Sequence, residues 1–359
     1  MSPTDLAYKV VFLPQSKEAV HPYQKQLSEA LIKLGIEFEG ANYQTFFCLK
    51  ILRERQPIVL HLHWLHAFLV KTTLLKSIVS TTTFLAQLIL LRICGVKIVW
   101  TIHNLKNHEN KSLKLDQIGA SAVARISHAA IAHCNCAKQE TLDYLRLPSA
   151  NKVFVVPHGN FTQYYSNTIS RAEARKALNI AESDFVFLFL GLIRSYKGVP
   201  ELLAAFEKLD SPNARLVIAG KVHEEDIELE DLLHQKASED QSIQFIPGFV
   251  PDEDIQIYMN AADTVVFPYR DILTSGAVLL AMSFGQSCVA PRIGCISETL
   301  DSDGAFLYDP QLDSGLLEAI QKSIRKRHDL PRMGKHNMRL AEGYSWERIA
   351  KMTQTIYRA

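Results

Sequence analysis

Two short polar loops carry the residues best suited to hold an anion. The first is "GLIRSYKG" (191–198), which closes the apolar "DFVFLFLG" and opens the helical "VPELLAAFEKL". It sets two cations, Arg194 and Lys197, beside a helix N-terminus, where backbone N–H groups lack intrahelical partners and the helix dipole favours negative charge. The second is Thr274-Ser275-Gly276 in "PYRDILTSGAVLLAMSFG" (268–285), a loop of small residues that opens a helix after the apolar "TVVF". Two such loops at one sheet edge point to a shared ligand with two negative groups, such as a diphosphate. Taken singly, the first also reads as a solvated loop and the second as a plain N-cap.

Histidines crowd the first half. "HLHWLH" holds His61, His63 and His66, "TIHNLKNHE" holds His103, His108 and Glu109, and "VVPHG" holds His158. His61 and His63 are two residues apart in a strand and share a face, yet no carboxylate or cysteine completes a ligand set, so no metal is expected. His61 reads as a satisfied core histidine. His103, at the end of a strand, is the better polar or general-base candidate. "DSDG" (301–304) has the composition of an acidic metal clamp but the context of a turn, and is read as a turn.

These residues need a scaffold. "YKVVFLP" (8–14), "PIVLHLHW" (57–64), "VKIVWTIH" (96–103), "HAAIAHC" (128–134) and "KVFVVPHG" (152–159) read as strands, with helical patterns between most of them. "YQKQLSEALIKLG" (23–35) is one such helix, ending at a glycine. The pattern restarts with "DFVFLFLG", "ARLVIAG", "SIQFIPG", "DTVVFP" and "SCVAP". Apolar strands separated by helices imply parallel sheets covered on both faces. The expected fold class is therefore α/β, with two doubly wound Rossmann-like domains, 1–163 and 164–343, facing across a cleft. Ligands in such sheets lie at the carboxyl ends of the strands.

A chain of 359 residues fits two domains, and 47% hydrophobic with 21% charged residues is ordinary for a globular protein. The net charge of +1 hides an asymmetry: residues 1–165 carry +8 and the remainder −7. One half thus faces something anionic. No basic cluster interleaved with aromatics and no nucleic-acid motif is present, so nucleic acid is not the expected partner. Segment 67–94 is apolar but interrupted by Lys71, Lys76, Gln87 and Arg92; its longest uncharged part, 77–91, is short of the ~20 residues a span needs. It reads either as buried helix or as a basic amphipathic surface on a membrane. Six cysteines without regular spacing read as reduced thiols of a cytoplasmic protein, and no signal peptide is seen at the N-terminus.

In their order and spacing these motifs resemble the nucleotide-sugar glycosyltransferases of the two-domain GT-B type, family 4, over nearly the whole chain. "GLIRSYKG" is similar to the family's phosphate-binding Arg/Lys loop, and "FIPGFV" (245–250) to its F-x-G-x-V base pocket. "LLAMSFGQSCVAPRIGCISE" is similar to its EAMAxGxPVVAxxxGGxxE segment, and "YSWERIAKMTQTIY" to a closing helix (344–359) that packs back on the first domain. "HLHW", "HNLKNHE" and "ILTSG" resemble a branch associated with bacterial surface polysaccharide assembly.

The resemblance implies that the second domain binds a UDP- or GDP-sugar. Arg194, Lys197, Thr274, Ser275 and Gly276 would hold the diphosphate, Phe249 and Val250 the base, and Glu298 the ribose. His103 would contact the transferred sugar. It further implies transfer of a hexose to a saccharide acceptor, lipid-linked on a polyprenyl diphosphate, at the inner face of the cytoplasmic membrane. Retention of configuration, with no metal or other cofactor, goes with it. The sequence departs from the family where two glutamates normally flank the donor helix: Ile272 and Leu280 stand there. Asp271 is the nearest substitute for the first. The family's glycine-rich loop after the first strand is replaced by "PQSKEAVHPYQ", so His21 and Tyr23, with His158, become candidates for the sugar or acceptor side. Two alternatives stay open: a sugar-nucleotide epimerase of the same fold, which would need cleft carboxylates, and a decayed transferase kept as a binding partner. The oligomeric state is not legible.

Overall fold

The structure, a computed structural model, describes residues 8–15, 21–41, 46–54, 56–107 and 112–359. His108 and Glu109 lie outside the described residues. The chain forms two compact units, Met1–Gly159 with Tyr344–Ala359, and Asn160–Gly343. The division falls four residues before the expected 163, because Asn160 Nδ2 donates to Ala341 O and Phe161 N to Ser283 Oγ, both within the second unit.

The first unit is a six-stranded parallel sheet of β1 (Lys9–Leu13), β2 (Glu37–Gly40), β3 (Ile58–Leu62), β4 (Lys97–Thr101), β5 (Ala129–Ala132) and β6 (Val153–Val155), in the order β2-β1-β3-β4-β5-β6. Every residue of β1 and β3 is buried, as expected of strands covered on both faces. β2, "EFEG", escaped the sequence reading because it is a partly exposed edge strand with little apolar content. It is tied to β1 by Lys9, whose ammonium lies 2.6 Å from Glu39 and 3.2 Å from Glu54. The closing helix Trp346–Arg358 returns to this unit and packs on the helix Pro22–Lys33. Ile349, Ala350, Ile356 and Tyr357 join Val10, Phe12, Leu27 and Leu31 in one core cluster.

Segment 67–94 holds the end of a short helix, His66–Leu69, and a long helix, Leu74–Ile93, that is buried on one side only. The 20-residue helix Leu74–Ile93 buries a mixed face, Ser77, Thr81 and Gln87 together with Phe84, Leu88 and Leu91. Buried Thr81 donates to Leu69 O, and buried Gln87 accepts from Cys48 N. Leu75 (72%), Val79 (59%) and Ile93 (77%) are exposed. Among the described residues it is the one helix whose length and composition would suit a membrane span, yet only a third of its apolar window is buried.

The second unit is also a six-stranded parallel sheet: β7 (Phe185–Leu190), β8 (Ala214–Gly220), β9 (Ile243–Pro247), β10 (Thr264–Val266), β11 (Ser287–Pro291) and β12 (Ala305–Tyr308), in the order β12-β11-β10-β7-β8-β9. In both sheets the strand order reverses beside the unit's first strand, the switch point at which α/β sheets bind ligands. "DSDG" is a turn: Asp301 Oδ1 accepts from the N–H groups of Asp303 and Gly304. Cys48, Cys94, Cys136 and Cys288 are free thiols.

Candidate functional site

In the second unit the two anion-seeking loops touch. β7 is followed by Gly191 and a 3-10 turn, Ser195–Lys197, that closes on Gly198 with φ +71°. A Cβ on Gly198 would lie 1.8 Å from Pro268 O, so only glycine lets the first loop lie flat on the second. Arg270 N donates to Tyr196 O at 3.2 Å and completes the junction. Lys197 Nζ stands 6.0 Å from the centroid of the Tyr269 ring, and the Tyr269 hydroxyl accepts from Ser275 Oγ at 3.4 Å. Tyr269 is buried and links the cation to the helix start. Sequence reasoning missed it; the available signal was an aromatic three residues beyond the end of β10.

The helix Gly276–Ser283 begins at N-cap Ser275, which is extended (φ −136°, ψ 108°) and makes no side-chain cap bond. Its first N–H groups thus keep their donor capacity for an anion. Burial and the neighbouring Arg194 charge push Lys197 down to about 8. A lysine in that range gains from an anion that restores its proton affinity.

The other donor-side candidates surround this junction. Asp271 is exposed, Ile272 half-buried and Leu280 buried. Gly294, at φ +46°, lies so close that a Cβ would be 2.3 Å from Ile272 O, and Cys295 N donates to Leu273 O. This holds the short helix Ile296–Thr299, with exposed Glu298, against the 268–276 loop. Phe249 and Val250 follow β9 beyond Gly248 (φ +100°), and the Phe249 side chain is 78% exposed.

The first unit gathers its histidines at the carboxyl edge of its sheet. His61 is the satisfied core residue expected: Nδ1 lies 2.5 Å from the Tyr357 hydroxyl and Nε2 2.7 Å from Thr101 Oγ1. His103 has both ring nitrogens engaged, Nε2 with His63 Nδ1 (3.1 Å) and Nδ1 with His133 Nε2 (3.5 Å). Its ring is stacked under Trp64 at 4.5 Å. As placed, it has no lone pair free for a general base. Burial, then the other histidines, hold His103 and His63 well below the usual imidazole range. Burial brings His133 to about 4 and His158 to about 3. Among the described residues no group of His, Cys, Asp or Glu is arranged to hold a metal ion, since these nitrogens address one another rather than a common point.

His158 is buried, with Nδ1 2.7 Å from Gly159 O. His21 caps the helix Pro22–Lys33, Nδ1 accepting from Tyr23 N, and remains exposed. Tyr23 is corrected: it is 1% exposed, ringed by His63, His103, His133, His158 and Trp346, and is a core residue rather than a surface-lining one. Sequence reasoning also missed Asp116, fully buried, which pairs with His66 at 2.8 Å and accepts from Asn107 N and Nδ2 at 3.0 Å. It pins the loop that follows His103.

Residues 170–340, nearly all of the second unit, match the family described as glycosyl transferases group 1. Over 349 residues the chain is 24% identical to the GDP-mannose:glycolipid 4-beta-D-mannosyltransferase of Xanthomonas campestris pv. campestris, covering 92% of this chain and 90% of that one. Among solved structures, sucrose-phosphate synthase from Thermosynechococcus elongatus superposes with a TM-score of 0.78 at 17% identity, covering 98% of both chains. The Anabaena protein HepE in complex with UDP gives 0.75 at 16% identity, covering 98% of this chain and 100% of that one. Two parallel six-stranded sheets flanked by helices are the GT-B architecture of these structures. The chain is a GT-B-fold glycosyltransferase whose residues 170–340 match the group 1 family.

Proposed function

We propose that the protein moves a hexose from a UDP- or GDP-sugar to a saccharide acceptor carried on a lipid such as a polyprenyl diphosphate, in the assembly of a bacterial surface polysaccharide. The junction of the 191–198 and 268–276 loops carries this reading. Two cations and an uncapped helix start share one sheet edge. Charge that develops on the diphosphate as its bond to the sugar breaks would meet Arg194, Lys197, the Thr274 and Ser275 hydroxyls and the Gly276 N–H. Protein cations fill that role without a divalent ion, so transfer should persist in chelator. Phe249 and Val250 are assigned to the base, Glu298 to the ribose, and Asp271, His21 and His158 to the sugar or acceptor side.

The N-terminal unit takes the acceptor in this reading, in keeping with the +8 charge of residues 1–165. The name of the Xanthomonas relative contains GDP-mannose and a glycolipid, and HepE was solved with UDP, so both nucleotides stay in the proposal. Retention is carried over from the family resemblance, and the anomeric configuration of the product, read by NMR, tests it. The outward apolar face of the helix Leu74–Ile93, with Lys71, Lys76 and Arg92 beside it, supports peripheral attachment to the inner face of the cytoplasmic membrane.

The test is transfer from labelled UDP- and GDP-hexoses to lipid-linked saccharides in chelator. Wild-type protein should label the lipid fraction, and Arg194→Ala and Lys197→Ala should abolish labelling while remaining folded. Normal turnover by both variants would overturn the diphosphate assignment. Epimerised donor in the absence of acceptor would instead favour an epimerase.

A further inference from the structure

At the carboxyl edge of the N-terminal sheet, four neighbouring strands each deliver one histidine: His63 after β3, His103 after β4, His133 after β5 and His158 after β6. Three of them form a hydrogen-bonded row that ends on the backbone. His133 Nδ1 lies 2.9 Å from Val156 O, His133 Nε2 3.5 Å from His103 Nδ1, and His103 Nε2 3.1 Å from His63 Nδ1. A carbonyl oxygen can only accept, so the proton of His133 sits on Nδ1. A neutral imidazole has one N–H, which leaves His133 Nε2 to accept from His103 Nδ1. His103 Nε2 must then accept from His63 Nδ1, and His63 Nε2 is left bare.

The row's other end is buried: His63 is 0% exposed, and its Nε2 has no hydrogen-bond partner among the described residues. The opposite polarity would set a bare His133 lone pair against the Val156 carbonyl, two acceptors facing each other at 2.9 Å. Neutrality follows from burial: an unpaired buried cation is costly, and among the described residues the titratable groups facing the row are themselves imidazoles and a phenol. These are His21, His61, His158 and Tyr23, of which His61 and His158 have partners of their own.

We propose that His133 and His63 are positioning residues for His103. Anchored on the Val156 carbonyl, the row holds His103 as its Nδ1–H tautomer with both ring nitrogens occupied, and leaves the row's free lone pair on His63 Nε2. His103 then serves a bound sugar through a fixed ring and main chain rather than as a proton acceptor. A proton that enters the row enters at His63 Nε2. The His63 Nδ1 proton passes to His103 Nε2, the His103 Nδ1 proton passes to His133 Nε2, and the positive charge rests on His133, still bonded to Val156 O.

The experiment is long-range 1H–15N correlation NMR of the full chain carrying ring-15N histidine, near neutral pH, with signals assigned by single replacements. His63, His103 and His133 should all show the Nδ1–H pattern. An Nε2–H pattern, or a mixture of tautomers, at His103 would overturn the proposal. His133→Phe, which keeps a ring but removes both bonds, should release His103 into a tautomer mixture. It should lower kcat about tenfold with the donor KM unchanged, as loss of a partner that sets a histidine tautomer typically does. His133→Gln, able to donate to Val156 and accept from His103, should restore both. An unchanged His103 tautomer in His133→Phe would overturn the positioning role. Should that variant not fold, the wild-type spectrum and His133→Gln decide. The kcat arm rests on the glycosyl-transfer reading and the NMR arm does not: wild-type tautomers as expected in a protein that transfers nothing would sink that reading and leave the row standing.

Discussion

Lys197 gives the donor site a pH dependence that can be worked out in advance. Its proton affinity is lowered to about 8 by burial and by Arg194. The protonated form attracts a diphosphate, and a bound diphosphate raises the lysine's proton affinity, so affinity must fall as pH rises through the free-protein value. At pH 6.5 the protonated fraction is about 0.97 and at pH 8.5 about 0.24, so affinity should weaken about fourfold across that interval. A sugar nucleotide is the right probe, because its diphosphate diester stays doubly ionised throughout. Isothermal titration calorimetry at 0.5-unit pH steps is the assay. Lys197→Arg should flatten the profile, since a guanidinium does not titrate in this range. A flat wild-type profile, or a slope that survives in Lys197→Arg, would refute the placement of Lys197 on the diphosphate.

Three further outcomes follow from the packing. Gly198→Ala forces a Cβ onto Pro268 O at a positive φ, so it should cost about 1–3 kcal/mol in a denaturant melt and weaken nucleotide-sugar binding with it; unchanged binding would mean that contact between the loops is irrelevant to the ligand. Tyr357→Phe strips His61 Nδ1 of its partner in a buried site and should destabilise the protein by about 1–3 kcal/mol. A neutral result in the same melt would show that the bond contributes nothing net. Leu75→Glu with Ile89→Glu places charges on the exposed face of the helix Leu74–Ile93 and should abolish co-flotation with anionic lipid vesicles at unchanged thermal stability. Equal flotation of the variant would remove that face from the membrane reading.

Much of the scaffold was legible because its strands are apolar on both faces and bounded by turns. β7 stands out as an uninterrupted apolar run, and β1 and β3 as runs with a single polar residue each, whereas β2, at a sheet edge with two glutamates, carries no such signal. The loops at 191–198 and 274–276 were found by their chemistry, but Tyr269 between them was not, since one aromatic at a strand end looks like core. His61 was read as a core residue from its place inside a strand, and it is one. His103 and Tyr23 were read as single residues at strand or helix ends, and their burial depends on residues far away in sequence, His133 and Trp346 among them. The helix Leu74–Ile93 was ambiguous because composition reports how apolar it is and not which side is buried; the buried side mixes Ser77, Thr81 and Gln87 with Phe84, Leu88 and Leu91.

The most direct test of the central claim is calorimetric titration of UDP- and GDP-sugars into the wild-type chain and into an Arg194→Ala, Lys197→Ala double variant. Each charge-assisted contact is worth about 1.5–3 kcal/mol, so removing both should weaken binding by about a hundredfold or more, with the melting temperature of the unliganded protein held. Equal affinity of the two proteins, or no binding of either nucleotide sugar by the wild type, would contradict the assignment of this site to a sugar-linked diphosphate.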